Sequence, residues 1–365
     1  MGSLHPRGFL RAAALIVSLL ALVFVLYRNH APSFAQSAPT AQQLAFVSDR
    51  DRSAQIYLMN ADGSGQMRLT GPEGNAMAPV WAPNGQRLAY VFFDQSGSPQ
   101  IYVMNPDGSG KAQLTSQGGN LFPAWSPNGQ QIAFGSDREG GIHIYVMNAD
   151  GSNQRRVTTG AGEFASPAWS PDGQRLAFTG RRGPTDGTFM INADGSGESR
   201  LGGAAIFRRG FMEPVWSPLG QQVLFVSIRG APGQEVLAIY VSSLDGGSPR
   251  VLTDGYAPTW ASDGRRIAFA CCFQSPGQAI QSYVINADGT GRMQLTSGTS
   301  GSTFPVWSPD GSRIAYVCCW PGQLAIFTVN PDGSGMQRLA VAATPASLGP
   351  GGGFGPIVTW RPTRP

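Results

Sequence analysis

Short apolar runs and turn signals repeat along the chain with a regular period. Tryptophan recurs every 44 to 53 residues, at Trp81, Trp125, Trp169, Trp216, Trp260, Trp307 and Trp360. Six of these precede a turn such as SPNG at 126–129, and two apolar runs follow before an Asn-x-Asp-Gly turn. Asn-Gly and Asp-Gly supply the positive φ that tight hairpins need. Each unit therefore predicts four short antiparallel strands.

The middle strands of each unit are apolar at successive positions, which indicates that both faces of the sheet are covered. Such sheets, covered by copies of themselves, are typical of a β-propeller, whereas a solenoid would need capping units. The first unit begins at 44–46 without a tryptophan strand, and the last tryptophan strand, 357–360, has no strands after it. Paired, the two ends complete a blade of three plus one strands. We therefore predict an all-β, closed seven-bladed propeller over residues 44–360, with no open sheet edge.

Composition agrees with this prediction. The chain has 49 glycines and 28 prolines, which are poor residues for helix interiors and argue against a helix bundle. Proline stands two residues before six of the tryptophans. A proline costs little in an innermost strand, because one edge of that strand faces the central channel.

The repeated motifs P-x-W-S-P-D-G, I-A-F, I-Y-V-M-N-A-D-G-S and R-L-T resemble the repeat of TolB-type β-propeller proteins. The resemblance covers nearly all of 44–360. It implies a propeller located in the cell envelope that binds a protein partner. The α/β domain that precedes the TolB propeller is not expected here, because only residues 36–43 separate the leader from the first strand.

The leader, residues 1–35, has the parts of an export signal. A positive start with Arg7 and Arg11 precedes an uncharged apolar run over 12–27, and 33–35 fits a small-x-small cleavage site. The leader is interpreted either as a cleaved signal peptide or as a retained membrane anchor, and both alternatives place the propeller outside the cytoplasm. We predict a linker over 36–43 and a tail over 361–365.

The formal net charge of +4 belongs mostly to this leader, which has no acidic residue. Nucleic-acid binding would need a clustered basic excess on the folded body, so we expect no nucleic-acid partner.

Propeller topology divides the loops between two faces. The turns after each tryptophan and the Asn-x-Asp-Gly turns share one face, which we call the turn face. The loops after each second strand and between blades share the other, which we call the varied face because these loops differ in length and chemistry. Binding usually resides in varied loops on a rigid scaffold, so we expect it there.

One arginine-rich cluster stands out on the varied face. Five arginines beside two phenylalanines predict bidentate binding of an acidic peptide, a carboxylate or a phosphate. The alternative is a solvated rim in which Asp186, Glu213 and Glu235 are local partners. The predicted partner-binding residues, from blade 4 to blade 5, are Arg181, Arg182, Phe207, Arg208, Arg209, Phe211, Glu213 and Arg229.

Other charged loops have simpler interpretations. The segments 49–52 and 137–139 are charge-balanced, and we interpret them as solvated. The repeated aspartates are interpreted as turn formers, because calcium loops of the EF-hand type need several carboxylates within about twelve residues.

Four cysteines form two adjacent pairs, Cys271-Cys272 and Cys318-Cys319, at the end of the second strand of blades 6 and 7. Vicinal disulfides are predicted if the chain turns there, and buried thiols remain open. A bridge between blades is disfavoured, because packed sheets lie about 10 Å apart and disulfides need Cα atoms within about 7 Å. No metal-binding spacing is present, and we expect no metal or cofactor.

Catalytic motifs are sparse. The body has one histidine, His143, and no Gly-x-Ser-x-Gly motif. We predict a non-enzymatic extracytoplasmic scaffold for an envelope protein or peptide. The alternatives are a glycan-binding or glycan-processing propeller and a purely structural protein. Aromatic residues just before innermost strands favour the glycan alternative, and these are Phe122, Tyr256, Phe304 and Phe354.

Overall fold

Seven four-stranded antiparallel sheets make up the described part of the protein. The computed structural model describes residues 42–94, 97–203, 213–231, 234–244, 247–271, 279–298, 301–320, 323–342 and 357–363. None of these residues belongs to a helix with the length and apolar character needed to cross a bilayer. The predicted leader, residues 1–35, lies outside the described residues.

Each sheet is one blade, numbered here in chain order. Blade 1 contains β1 (Gln43–Ser48), β2 (Gln55–Asn60), β3 (Met67–Arg68) and, from the far end of the chain, β28 (Val358–Trp360). Blade 2 contains β4 (Asn75–Trp81), β5 (Leu88–Phe93), β6 (Pro99–Met104) and β7 (Ala112–Gln113). Blade 3 contains β8 (Asn120–Trp125), β9 (Gln131–Ser136), β10 (His143–Asn148) and β11 (Arg155–Arg156).

The remaining blades follow the same order from the innermost strand outward. Blade 4 contains β12 (Glu163–Trp169), β13 (Arg175–Arg182), β14 (Thr185–Asn192) and β15 (Ser199–Gly202). Blade 5 contains β16 (Val215–Trp216), β17 (Gln222–Arg229), β18 (Val236–Ser243) and β19 (Arg250–Asp254). Blade 6 contains β20 (Tyr256–Trp260), β21 (Arg266–Cys271), β22 (Gln281–Asn286) and β23 (Met293–Gln294). Blade 7 contains β24 (Ser302–Trp307), β25 (Ile314–Trp320), β26 (Gln323–Val329) and β27 (Gln337–Val341).

The two ends of the propeller sequence share blade 1. Strand β28 lies antiparallel to β1, with Leu44 opposite Trp360. The Val47 amide extends this pairing by donating a hydrogen bond to the Ile357 carbonyl at 2.9 Å. The predicted seven-bladed ring and its three-plus-one closure are confirmed. Closure pairs the inner edge of β1, which would otherwise be an open template for another strand.

The middle strands are buried on both faces, as their apolar runs predict. In β9, Ala133 and Phe134 are both fully buried. Phe134 packs with Val103 between blades 2 and 3, whereas Ala133 packs with Phe164 between blades 3 and 4. Because adjacent strand residues point to opposite sides, each blade contributes to two interfaces of the core.

Tryptophan links the innermost strands of neighbouring blades. In four blades the indole N–H donates to a main-chain carbonyl of the preceding innermost strand, one residue before that strand's tryptophan. The pairs are Trp125 with Val80 at 3.2 Å, Trp169 with Ala124 at 3.1 Å, Trp216 with Ala168 at 3.0 Å, and Trp360 with Val306 at 3.0 Å. The last strand of the propeller therefore makes the same contact as strands inside the sequence.

The innermost strands of five blades carry the same bulge. In each, a residue with positive φ directly precedes the proline of the repeat, and the pairing register with the second strand shifts there. The residues with positive φ are Ala78, Phe122, Ser166, Ala257 and Phe304. Such a backbone costs about 1–3 kcal/mol per residue and persists only where surrounding packing enforces it. Two of these residues, Ala78 and Phe122, line the cavity described below.

Candidate binding surface

The second-to-third strand hairpins of blades 4 and 5 are the longest in the described part of the propeller. Strands β13, β14, β17 and β18 have 8 residues each, whereas their counterparts in the other blades have 6 or 7. Each added residue extends a strand by about 3.3 Å, so these two adjacent hairpins project from the varied face. We call their tips, with Arg181, Arg182, Arg229 and Val236, the hairpin rim.

Arg181 is held by one carboxylate. Its Nε and Nη2 donate to the two oxygens of Asp186 at 2.6 and 2.9 Å. This pairing raises the pKa of Arg181. The guanidinium remains the exposed partner, because 41% of the Arg181 side chain is accessible against 16% for Asp186. Arg181 is therefore a positioned cation that remains partly accessible to solvent.

Arg182 has a different role, because its donors are used within the blade. Its Nε and Nη2 donate to both oxygens of Glu198 at 2.8 and 2.7 Å, and Nη1 and Nη2 donate to the Thr159 carbonyl at 3.0 Å. Its guanidinium also lies over the Phe164 ring, 5.0 Å from the centroid. Arg182 thus ties the connection before β12 to the outer edge of blade 4.

Arg229 completes the rim on blade 5. Its guanidinium contacts the Asp254 carboxylate, with Nε at 2.7 Å and Nη2 at 2.6 Å from the same oxygen. The Arg229 side chain is 45% accessible against 32% for Asp254. Val236 lies opposite Arg229 in the hairpin and is 43% exposed, so an apolar side chain stands beside the cation.

The structure brings some of the predicted site residues together and leaves others elsewhere. Phe207, Arg208, Arg209 and Phe211 lie outside the described residues, and their contact with a partner stays a prediction. Of the carboxylates named as local partners, Asp186 binds Arg181. Glu198 and Asp254, which hold the other two arginines, were not predicted, because pairing within the blade brings them to Arg182 and Arg229 from 16 and 25 residues further along the chain.

Glu213 lines a cavity at the innermost strands, and the rim arginines are not among the described lining residues of that cavity. The cavity has a volume of about 330 Å³, and its other walls come from the innermost strands of blades 2, 3 and 4. The side chain is exposed to the cavity solvent, yet the surrounding protein raises the pKa of its carboxyl through desolvation. The repeat could have indicated that Glu213 lines this cavity. Glu213 stands three residues before Trp216, and Phe122, which also lines the cavity, stands three residues before Trp125.

His143 makes a side-chain contact within blade 3 that has equivalents within other blades. Its Nδ1 lies 3.2 Å from the Thr158 hydroxyl, and burial lowers the pKa of the imidazole. In blade 2 the same place holds Gln100, whose Oε1 accepts a hydrogen bond from the Thr115 hydroxyl at 2.8 Å. Gln55 and Gln281 make the equivalent contact in blades 1 and 6. His143 therefore replaces a glutamine that joins the third strand to the end of the fourth.

The repeated aspartates close their own turns, as the sequence analysis predicts. Asp107 accepts hydrogen bonds from the amide of Ser109 at 2.9 Å and from its hydroxyl at 2.6 Å. These donors lower the pKa of Asp107. The same geometry occurs at Asp62, Asp150, Asp194, Asp288 and Asp332. No group of three or more metal-ligating side chains occurs among the residues that the structure describes.

Two loop arginines on the varied face pack onto aromatic rings. The Arg138 guanidinium lies 4.6 Å from the Tyr145 centroid and 5.4 Å from that of Phe134, and its Nη2 donates to Asn120 Oδ1 at 3.0 Å. Arg50 lies over the equivalent aromatic pair of blade 1. Arg50 is exposed and Arg138 is half-buried, so both arginines contact solvent while their guanidinium groups also pack on ring faces.

The described cysteines lie at the ends of the second strands of blades 6 and 7. Cys271 is disulfide-bonded. Cys318 and Cys319 lie in the antiparallel ladder between β25 and β26, opposite Ala325 and Leu324. The vicinal bonds Cys271–Cys272 and Cys318–Cys319 stay predictions. Cys272 lies outside the described residues.

The fold and the hairpin rim define a closed propeller that presents varied loops on one face of a rigid ring. The chain belongs to the TolB beta propeller domain family, whose model matches residues 21–120, 111–257 and 208–350. No protein with a curated description matches the chain.

Solved structures share the fold at low sequence identity. TolB from Acinetobacter baumannii is 18% identical, with 85% of this chain and 79% of that chain covered and a TM-score of 0.55. The putative TolB from Agrobacterium tumefaciens is 20% identical, with coverage of 69% and 94% and a TM-score of 0.51. A puromycin-hydrolyzing peptidase from Mycobacterium tuberculosis is 16% identical, with coverage of 83% and 54% and a TM-score of 0.60. The same fold thus occurs in a peptidase, so the fold by itself does not define function.

Proposed function

We propose that this propeller is an extracytoplasmic, non-enzymatic scaffold that binds a protein or peptide partner through the hairpin rim on its varied face. The observation that carries the proposal is the pair of long hairpins. They hold Arg181 and Arg229 in place with carboxylates that are themselves less exposed than the guanidinium groups.

The chemistry of the rim favours an acidic partner. Each of these two guanidinium groups is oriented by a local carboxylate, so less side-chain entropy is lost when a second carboxylate binds. The exposed Val236 adds apolar area beside the cations. Rims that combine arginine with an apolar neighbour are suited to a protein surface, where arginine is enriched among the residues that dominate binding.

The location rests on the leader and on family membership. The apolar run over 12–27, with its positive start, is suited to export. Mass spectrometry of the mature N-terminus in fractionated cells would distinguish a cleaved signal from a retained anchor. Recovery of the protein in the cytoplasmic fraction alone would contradict the proposed location.

A pull-down with the full chain tests the binding site. The Arg181→Ala/Arg229→Ala double variant should lose capture of the partner from an envelope extract of the native cell. The matched control, Lys111→Ala/Arg265→Ala, removes the same charge from exposed positions on the turn face and should keep capture. Undiminished capture by the rim variant, or equal loss by the control, would refute the rim as the site.

A separate variant addresses the segment between blades 4 and 5. Arg208→Ala/Arg209→Ala should also weaken capture, since the segment joins β15 to β16 beside the rim in sequence. If only this variant weakens capture, the partner binds the connecting segment and Arg181 and Arg229 take no part.

A glycan ligand is the second candidate, favoured by aromatic side chains on innermost strands. Tyr256 and Phe304 are half-buried, in edge-to-face contact with ring centroids 6.5 Å apart. Sugars bind to aromatic faces of this kind. A glycan array would give saturable binding that Tyr256→Ala removes, and an array without any binding would exclude this candidate.

A further inference from the structure

Among the residues that the structure describes, the central cavity has apolar walls and one charged side chain. Three tryptophans from neighbouring innermost strands, Trp81, Trp125 and Trp169, form much of its wall, and Phe122 contributes an aromatic ring. Among the described residues that line it, Glu213 is the one with an ionisable group. The volume of about 330 Å³ lies at the lower end of the range for small-ligand sites.

The Glu213 carboxylate is not used by the described part of the fold. It makes no hydrogen bond and no ion pair there, in contrast to Asp186, Glu198 and Asp254, which each hold an arginine. Desolvation is the cause of its raised pKa. A carboxylate beside apolar walls gains from a cation placed next to it, because the surrounding protein screens their attraction less than bulk water does.

The repeats show that the fold does not need a charge at this position. Three residues before the tryptophan, the other blades carry an uncharged side chain: Ala78, Phe122, Ser166, Ala257, Phe304 and Ile357. These neutral residues complete the same innermost strands. The described part of the fold therefore gives no structural reason for a charge at this position in blade 5.

We propose that this cavity binds an organic cation, in which an ammonium or guanidinium group on an apolar body pairs with Glu213. The apolar body would occupy the space between the tryptophans, and aromatic faces add to the attraction for a cation. The site is independent of the hairpin rim. Two of its lining prolines, Pro83 and Pro127, belong to the turns of the opposite face.

Titration of the full chain with three probes of one size tests the charge requirement. Hexylammonium, hexanol and hexanoate share an apolar body and differ in charge, and the lining tryptophans report binding by fluorescence. Hexylammonium should bind saturably and about tenfold or more tighter than hexanol, a preference typical of one charge-assisted contact. Equal affinity for the amine and the alcohol would overturn the proposal.

Two variants test whether Glu213 causes the preference for hexylammonium over hexanol. Glu213→Gln keeps the size of the side chain and should bring hexylammonium to the affinity of hexanol. Glu73→Gln, which changes an exposed carboxylate in the connection between blades 1 and 2, should leave the preference unchanged. A Glu213→Gln protein that still prefers the amine would overturn the proposal.

A competition experiment distinguishes the source of the cation. A short peptide with one lysine between apolar residues, and the same peptide with that lysine acetylated, compete with hexylammonium. Displacement by the lysine peptide alone supports a peptide side chain as ligand. If neither peptide competes while the amine still binds, the result supports a small free amine.

Discussion

Replacement of Trp360 by alanine measures how much the closed ring contributes to stability. The indole is 5% exposed and donates to the Val306 carbonyl at 3.0 Å. Truncation of a buried tryptophan costs about 3–5 kcal/mol, a large share of the 5–15 kcal/mol that stabilises a typical domain. The β28 strand has only three residues, so its loss would also expose the inner edge of β1 to intermolecular pairing.

The matched control is Trp125→Ala, inside the sequence. Trp125 is 8% exposed and makes the same contact with Val80 at 3.2 Å. Urea unfolding followed by circular dichroism should give losses for the two variants within about 1 kcal/mol of each other, because both remove one identical link in a ring. Trp360→Phe should recover part of the stability if the alanine variant does not fold.

The result that would refute the reasoning is an asymmetric one. If Trp360→Ala costs less than about 1 kcal/mol while Trp125→Ala costs about 3–5 kcal/mol, then β28 contributes little and the ring is effectively open. Increased aggregation of Trp360→Ala at unchanged stability would show that β28 acts mainly by covering a strand edge.

Three further predictions follow from side-chain contacts. The pKa of His143 is lowered in the folded protein, so protonation below about pH 6.5 favours the unfolded chain, and the wild-type protein should lose stability between pH 7.5 and 5.5. His143→Gln should keep the threonine contact and abolish this pH-dependent loss in urea unfolding. An unchanged pH slope would contradict this. Asp107→Asn should make the unfolding free energy less sensitive to acidification through about pH 4 and below, since the folded pKa of Asp107 is lowered; an identical acid titration would contradict it. Arg182→Ala should destabilise by about 1–2 kcal/mol and Arg181→Ala by less than that, because Arg182 also binds a main-chain carbonyl and a ring. The reverse order in thermal unfolding would refute the division of roles.

Some functional residues were identifiable from sequence and others were not. Arg181, Arg182 and Arg229 were predicted to lie on neighbouring loops of one face, and the structure has them on adjacent hairpins. Their different roles were not predictable, because Glu198 and Asp254 reach them from outer strands whose register depends on the sheet. The functional assignment of the rim stays a prediction.

The sequence by itself determined the repeat, the number of blades and the way the ring closes. Turn chemistry and strand burial are local properties, so Asp-Gly turns and double-sided apolar runs specify them residue by residue. Only the tertiary structure decided which arginines keep an exposed guanidinium, that His143 joins two strands, and that Glu213 lines the cavity. These contacts depend on bulges and blade-to-blade packing. They join side chains whose directions are defined only after the seven sheets are assembled around one axis.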